Sequence, residues 1–324
     1  MRRREFVTLF GGAAAWPLIA RAQDRLLPVI GFLNGQTAAT FAHLVAAFKE
    51  GLKDAGFVEG HNVTIEYRWA DRHFDQLPAL ASDFVRRPLA VLVATGGAHL
   101  AAITATKTIP IVASFGSDPV KLGLVASFNR PGGNVTGMVV LSGELEAKRM
   151  ELLNEIAAKG IPLGYLLDPN FEAAAVQRQA VEAIGPVIGR QIRIVEAARE
   201  ADLDSIFRTL SQLHIGGLAV GSNPLFNNIR DHVLMLTAKL AIPAIYEARE
   251  FVLGGGLMSY GTNVPEVYRQ IGVYAGRILK GEKPADLPVL EPTKFDMTVS
   301  LRTAKALGIE VPTSILLRAN EVIE

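Results

Sequence analysis

The chain has 324 residues, of which 49% are hydrophobic and 20% charged, and its formal net charge is +1 at pH 7. It contains no cysteine, which excludes a disulfide framework, a thiolate-bound zinc or iron–sulfur centre and a cysteine nucleophile. Basic and acidic residues are nearly equal in number, which argues against a nucleic-acid partner, because such a partner requires a clustered excess of lysine and arginine. The length is typical of about two domains.

The N-terminal residues have the pattern of an export signal. Arginines at positions 2–4 precede an apolar stretch over 6–20, and the tripeptide ARA at 20–22 is a small-x-small pattern that signal peptidase accepts. About 15 apolar residues are fewer than the roughly 20 that span a bilayer. The run RREFV at 3–7 resembles a twin-arginine signal, and an ordinary secretion signal is the alternative.

We therefore expect cleavage after Ala22 and a soluble periplasmic product without a membrane anchor. The removed residues carry four arginines and one glutamate, so the formal charge of the product becomes −2. The mature chain is thus not basic, which again argues against binding of nucleic acid.

After the signal, strand-like runs alternate with helical patterns in two successive series. The first series contains PVIGFLN (28–34), NVTIEYRWA (62–70), LAVLVAT (89–95) and IPIVASFG (109–116). The second contains LGYLLDPN (163–170), QIRIVEA (191–197), GLAVGSN (217–223) and IPAIYEA (242–248). In each series, one strand ends in a turn of small residues. A helix with a lysine near its end follows, and an Ile-Pro then opens the next strand. This rhythm predicts two doubly wound lobes with parallel sheets and right-handed crossovers.

The carboxyl ends of parallel strands are where such sheets bind small molecules. The loops that follow the predicted strands are Asn34–Thr37, Thr95–Gly97, Phe115–Pro119, Asp168–Asn170, Gly221–Pro224 and Tyr246–Glu247. They suit a neutral or zwitterionic ligand, with N–H and hydroxyl donors for a carboxylate, Asp118 for an amine and an aromatic residue for an apolar side chain. The same residues also suit turns and N-caps: Asp118 can cap a helix that starts at Pro119, and Tyr246 can lie at the edge of a core.

Enzyme motifs are missing from the sequence. It has no phosphate loop, dinucleotide fingerprint, zinc-protease motif or nucleophile elbow, and the histidines at 43, 61, 73, 99, 214 and 232 lack metal-ligand spacing. We therefore predict no catalytic residue, no metal and no cofactor. A hydrolase that uses two of the strand-end carboxylates at 118, 168 and 247 remains an alternative.

Several runs carry a family resemblance that covers essentially all of the mature chain. They are FGSDPVKLGLVASFNRPGGNVTGM (115–138), PVIGFLN (28–34), ATGG (94–97) with the later TIPIV (108–112), and MSYGTNVPEVYRQIGVYAGRILKGEKPADLPV (258–289). The chain resembles the substrate-binding proteins of ABC importers, in the branch that includes binders of tryptophan and other aromatic amino acids. The resemblance implies an α/β fold of the periplasmic-binding-protein type I, with two Rossmann-like lobes, a three-segment hinge and a ligand between the lobes.

The expected domain limits follow from this fold. Residues 1–22 are the signal, 23–141 with 262–285 form the N-terminal lobe, and 142–261 with 286–324 form the C-terminal lobe. The hinge candidates are Val139–Gly143, Tyr260–Asn263 and Ala285–Leu290. A helix that starts at Asn263 and runs through Leu279 is expected to pack back on the first lobe.

The resemblance also implies the ligand-binding residues. Those of the first lobe are Gln36, Thr95, Gly96, Ser117 and Asp118, and those of the second lobe are Asn170, Ser222, Asn223 and Tyr246. Asn134 belongs to the same motif but can serve the hinge instead. The turn at 35–37 differs from the serine- or threonine-rich turn expected of an amino-acid binder. The resemblance therefore predicts the fold more strongly than the class of ligand.

The function that follows is capture of a small organic ligand, an amino acid or a related carboxylate, and its delivery to an ABC permease by hinge closure. The protein is expected to be a monomer. An exported hydrolase or isomerase on a doubly wound fold is the alternative. A regulator like the lactose repressor requires a DNA-binding head where this chain has an export signal.

Overall fold

The apolar runs of the first series form a parallel sheet. In the computed structural model, which describes residues 27–140 and 145–324, its strands are β1 Val29–Asn34, β2 Thr64–Trp69, β3 Val91–Thr95, β4 Ile111–Phe115 and β5 Val135–Val139. They lie in the order β2-β1-β3-β4-β5. Every residue of β3, β4 and β5 is buried, as expected of parallel strands that helices cover on both faces. The predicted signal and residues 141–143 of the first hinge candidate lie outside the described residues.

The second series forms a second sheet with a repeated topology. Its strands are β6 Leu163–Leu167, β7 Ile192–Glu196, β8 Leu218–Val220, β9 Ala244–Tyr246, β10 Met258–Thr262, β11 Phe295–Ser300 and β12 Glu321–Ile323. The order β7-β6-β8-β9-β10 repeats that of the first sheet, so β8 and β9 take the positions of β3 and β4. An antiparallel pairing of β10 with β11 then extends the edge. The predicted repetition of two doubly wound lobes is thereby confirmed.

Helices cover both sheets. Their bounds are α1 Ala38–Asp54, α2 Leu77–Val85, α3 His99–Ala105, α4 Glu146–Ile156, α5 Ala174–Val187, α6 Leu203–Gln212, α7 Pro224–Asn228, α8 Arg230–Lys239, α9 Arg249–Leu253, α10 Val264–Leu279, α11 Leu301–Ala306 and α12 Thr313–Leu316. In α1, the Oγ1 atom of Thr37 caps the first turn, and Leu44, Phe48 and Leu52 form one buried face at helical spacing. No helix within the described ranges is long and apolar enough to cross a membrane.

Helix α10 returns the chain to the first sheet, as the sequence predicts. Its N-cap is Asn263, whose Oδ1 atom accepts a hydrogen bond from the amide of Glu266 at 2.9 Å. The helix packs against α1, and its residues Tyr268 and Ile271 belong to the core under the first sheet. We call this sheet with α1, α2, α3 and α10 the first lobe, and the other sheet with the remaining helices the second lobe.

The third hinge candidate, Ala285–Leu290, lies along β5. The amide of Val289 donates to the carbonyl of Phe128 at 2.7 Å, and the amide of Leu290 donates to that of Gly137 at 3.1 Å. The hydroxyl of Thr136 donates to the carbonyl of Leu287 at 2.7 Å. These bonds tie residues 287–290 to β5 and to the loop before it.

Candidate ligand site between the lobes

Side chains of the two lobes meet where the strands of both sheets end. The Nδ2 atom of Asn228 in the second lobe donates to the Oε1 atom of Gln36 in the first. His99, at the start of α3, lies 3.1 Å from the carboxylate of Glu172, which precedes α5. His43 on α1 lies 3.4 Å from the carboxylate of Glu250 on α9. The cleft between the lobes is therefore bridged by polar contacts.

A cavity of about 40 Å³ with both polar and apolar walls lies at the strand ends of the second lobe. Its lining residues are Val140, Arg149, Ser222, Asn227, Glu247, Ala248, Gly261, Thr262 and Val264. Ser222 and Glu247 follow β8 and β9, whereas Val140 and Val264 belong to segments that connect the lobes. The cavity thus adjoins both the strand ends of the second lobe and the hinge.

A buried ion pair forms one wall of the cavity. Arg149 donates through Nε and Nη2 to the two carboxylate oxygens of Glu146, and neither side chain is exposed. Burial opposes the charge of Arg149, but the carboxylate of Glu146 outweighs it and raises the pKa of the guanidinium. The same carboxylate accepts hydrogen bonds from the amide of Ser222 at 3.0 Å and from Gln177 at 3.3 Å. The pair therefore joins the start of α4 to the end of β8.

Glu247 places a second carboxylate in the cavity wall. Its Oε1 atom accepts a hydrogen bond from the side-chain Nδ2 atom of Asn227. Burial raises the pKa of Glu247 to about 7, and the charges of Glu146 and Glu250 act in the same direction; Arg149 and Asn227 offset only part of this rise. The site therefore contains a carboxylate that lacks full charge compensation.

The first-lobe wall is held by a network at the ends of β1 and β3. Asn34 donates to the hydroxyl of Thr95 at 2.9 Å and accepts a hydrogen bond from the amide of Gln36 at 2.7 Å. Gly96 has φ +59°, and a Cβ there would lie 2.3 Å from the Oδ1 atom of Asn34. Thr95 and Gly96 thus position the turn that carries Gln36.

Asp118, Asn170 and Asn134 do not line the cavity, and Asp118 and Asn134 make structural hydrogen bonds. The Oδ1 atom of Asp118 accepts hydrogen bonds from the amides of Val120 and Lys121, which is the turn-capping role that the sequence left open. Asn170 is exposed, and its amide donates to Asp168. Asn134 donates to the carbonyl of Ile109 at 2.8 Å and so holds the loop before β4.

Tyr246 is the predicted residue that the structure places elsewhere. Its ring stacks on Phe251 at a centroid distance of 4.6 Å, and its hydroxyl lies 3.0 Å from that of Thr237 in the core of the second lobe. Consecutive strand residues point to opposite faces, so it is the next residue, Glu247, that lines the cavity. In this structure the Tyr246 side chain therefore lies in the core of the second lobe and does not line the cavity.

Several side chains at the cleft are buried with a polar atom that has no partner among the described residues. These atoms are Gln36 Nε2, Ser117 Oγ, Asn223 Nδ2, Asn228 Oδ1 and Thr262 Oγ1. Buried polar groups are normally hydrogen-bonded, so such a cluster indicates a place for a polar ligand or ordered water. Gln36, Ser117 and Asn223 were predicted from the sequence, and Asn223 also caps α7 through its Oδ1 atom.

Sequence reasoning missed the other residues of the site. Arg149 and Glu146 lie on a helix that no motif marks, and Asn227 and Asn228 are amides without a recognisable pattern. Thr262 ends the strand that leads into α10. A signal was available for Glu247 alone, as a carboxylate directly after a buried strand.

Two doubly wound lobes with a cavity at the strand ends beside the hinge define a two-lobed small-molecule binding protein of the periplasmic type I fold. The family model described as ABC transporter substrate binding protein matches residues 29–323. The chain belongs to this family, which confirms the resemblance seen in the sequence. Members of the family are extracytoplasmic, bind a small molecule and work with an ABC permease.

Relatives and solved structures agree with this assignment. The chain is 26% identical over 273 residues to a tyrosine-binding protein of Clostridioides difficile strain R20291, which covers 81% of this chain and 76% of that protein. A Streptococcus structure of an ABC domain in complex with L-Trp has a TM-score of 0.83 at 21% identity, over 92% of this chain and 100% of that one. A ligand-free, open substrate binding protein from Clostridium difficile has a TM-score of 0.69 at 26% identity, over 92% and 99%.

Proposed function

We propose that this protein captures a small organic ligand in the cavity between its lobes and delivers it to an ABC permease when the hinge closes. The observation that carries the proposal is the cavity at the strand ends, together with the side-chain contacts that join the two lobes. A ligand that contacts both lobes stabilises the closed arrangement over the open one, because only the closed form offers both sets of contacts.

The ligand that we propose is an amino acid, aromatic ones included, or a related carboxylate. A tyrosine-binding relative and the L-Trp complex of the same fold support this class. The unpartnered donors of Gln36 and Ser117 suit a carboxylate. The higher TM-score to the L-Trp complex than to the open, ligand-free structure, in spite of lower sequence identity, supports a closed arrangement of the lobes here.

The same proposal covers the export of the protein, its oligomeric state and the absence of turnover. The pattern of residues 1–22 supports export to the periplasm and release as a soluble protein, with the twin-arginine route favoured. The protein acts as a monomer. It binds its ligand without turnover: the alternative of a hydrolase or isomerase has no supporting observation, since Asp118 caps a turn and Glu247 hydrogen-bonds to Asn227.

A ligand panel tests the proposal. We expect one or more of the twenty standard amino acids, or an aromatic carboxylate, to raise the melting temperature of the protein in a thermal-shift assay. A ligand at a thousand times its Kd stabilises the folded state by about 4 kcal/mol, which corresponds to a rise on the order of 10 °C. Small-angle scattering should show a smaller radius of gyration with that ligand. Chemical conversion of the stabilising compound, followed by NMR, would instead support an enzyme.

The contact between His99 and Glu172 gives a second expected outcome. Burial raises the pKa of Glu172, but the hydrogen bond and charge of His99 outweigh it and hold this pKa below its ordinary value. The stabilisation that the ionised Glu172 carboxylate contributes through this contact is therefore present above about pH 4.5, and it is lost as the pH falls through the lowered pKa. Glu172→Gln removes the charge, and we expect about fivefold weaker ligand binding at pH 7, since such a pair contributes on the order of 1 kcal/mol.

The matched control for this variant is Glu182→Gln. Glu182 lies on α5, the helix that Glu172 precedes, with a side chain that is 61% exposed, and its charged neighbour is Arg178 within its own lobe. Calorimetry at pH 7 should give this control the affinity of the original protein. An unchanged affinity in Glu172→Gln would mean that the contact across the cleft does not contribute to closure.

A further inference from the structure

We propose that Glu247 binds the ammonium group of the ligand, so that the site selects α-amino acids over carboxylic acids that lack an amine. This inference rests on the proposed function and narrows the class of its ligand. It replaces Asp118, to which sequence reasoning gave the amine, because Asp118 does not line the cavity, its Oδ1 atom caps a turn and its Oδ2 atom lies 3.7 Å from the Nζ atom of Lys121.

The position of Glu247 fits this role. Glu247 follows β9 directly and lines the cavity between Ser222 and Thr262. Within the described part of the chain its carboxylate receives one hydrogen bond, from Asn227 to Oε1. An ionised carboxylate can accept several hydrogen bonds on two oxygens, so Oε2 remains available to an ammonium donor.

The charges around the cavity favour a cation. Glu146 holds Arg149 through two hydrogen bonds, so this guanidinium already compensates one carboxylate and covers Glu247 only in part. Glu250, the next carboxylate along the chain, lies against His43. Burial of an ionised carboxylate without a matching cation is unfavourable in free energy. A ligand ammonium offsets this free energy only when it is bound.

The remaining carboxylates of the cleft are engaged elsewhere. Glu172 lies against His99, and Asp168 accepts a hydrogen bond from the amide of Asn170 at 2.9 Å. Neither of them lines the cavity. Thr262, by contrast, lines it with a buried hydroxyl that has no partner among the described residues, and this donor suits the carboxylate of the same amino acid.

The test compares two amino acids with their amine-free counterparts. The probes are L-tyrosine with 3-(4-hydroxyphenyl)propionate and L-tryptophan with 3-(indol-3-yl)propionate, titrated by calorimetry at pH 8 into the mature protein. We expect the original protein to bind at least one amino acid of the two pairs tenfold or more tightly than its counterpart. In Glu247→Gln we expect that amino acid to lose at least tenfold in affinity, whereas the amine-free acid changes less than twofold.

Two results of these titrations would contradict the role of Glu247. Equal binding of an amino acid and its counterpart, or an unchanged preference in Glu247→Gln, overturns the role of Glu247 while capture of a ligand stands. If no probe binds, the proposed ligand class fails and this inference fails with it. Glu172→Gln is the matched control: it removes a carboxylate that contacts His99 across the cleft and does not act on Glu247, so both members of a pair should weaken equally and their ratio should not change.

Thermal melting separates this role from a structural one. Because the folded-state pKa of Glu247 is raised, its ionisation destabilises the fold as the pH rises from about 4.5 towards 7. The groups that act on it are Arg149, Glu146, Glu250 and Asn227. We therefore expect ligand-free Glu247→Gln to melt at or above the temperature of the original protein at pH 8. A lower melting temperature together with an equal loss for both ligands would mark Glu247 as a structural residue.

Discussion

Arg149→Met is expected to lower the free energy of unfolding by about 3–5 kcal/mol at pH 7. The substitution keeps an unbranched chain of similar length but removes the guanidinium that neutralises Glu146. Removal of one partner leaves a fully buried carboxylate without its cation, which is the costly way to break a buried pair. It also removes the hydrogen bond from Nη1 to the carbonyl of Tyr260, at 2.9 Å, on the strand that leads to the hinge. Urea unfolding followed by circular dichroism measures the effect.

The double variant Glu146→Gln with Arg149→Met is the control. Glutamine retains an oxygen that can accept the hydrogen bond from the amide of Ser222, and no charge remains uncompensated. We expect it to regain most of the stability that the single variant loses, since buried pairs contribute little beyond a neutral replacement. If single and double variants lose the same amount, the loss comes from packing around residue 149 and not from charge.

The architecture could be predicted from the sequence because its signals are local and repeated. Continuous apolar runs such as those at 91–95 and 111–115 form strands that helices cover on both sides, and the Ile-Pro before β4 and β9 marks equivalent positions in the two lobes. Parallel pairing then places the strand-end loops at one edge of each sheet. Gln36 and Ser222 were predicted at the cleft on this ground.

The chemistry of the site depends on distant residues and on side-chain direction. Glu146 and Ser222 lie 76 residues apart, and their hydrogen bond follows from how α4 packs against β8. Tyr246 and Glu247 are neighbours, and the direction of the pleat decides which of them enters the core and which the cavity. The end of the third hinge candidate adds to β5 by main-chain bonds, which depend little on side-chain identity and so leave no mark in the sequence.

Gly272→Val is expected to damage the first lobe severely. A Cβ on Gly272 would lie 2.0 Å from the carbonyl oxygen of Phe48, so α10 and α1 are in contact through their backbones. Gly51 makes the reciprocal approach, with a Cβ position 1.8 Å from the carbonyl oxygen of Arg269. Because backbone cannot repack like a side chain, a valine must push the helices apart and expose part of the face that carries Tyr268. We expect a loss on the order of 5 kcal/mol, from several buried side chains at about 1.5–3 kcal/mol each.

The effect should also reach the cleft. Tyr268 on α10 hydrogen-bonds to Thr95 and Asn34, which hold the turn of Gln36, so displacement of α10 loosens the first-lobe wall. Hydrogen exchange should therefore rise in α1, in α10 and in this turn, while the strands of the second lobe keep their protection. Gly133→Val is the matched control, because a Cβ there meets nothing within 4 Å and should change stability by less than about 0.5 kcal/mol. Equal stability of the two variants would show that α10 does not dock on α1 at this distance, and α10 would then not hold the end of β3.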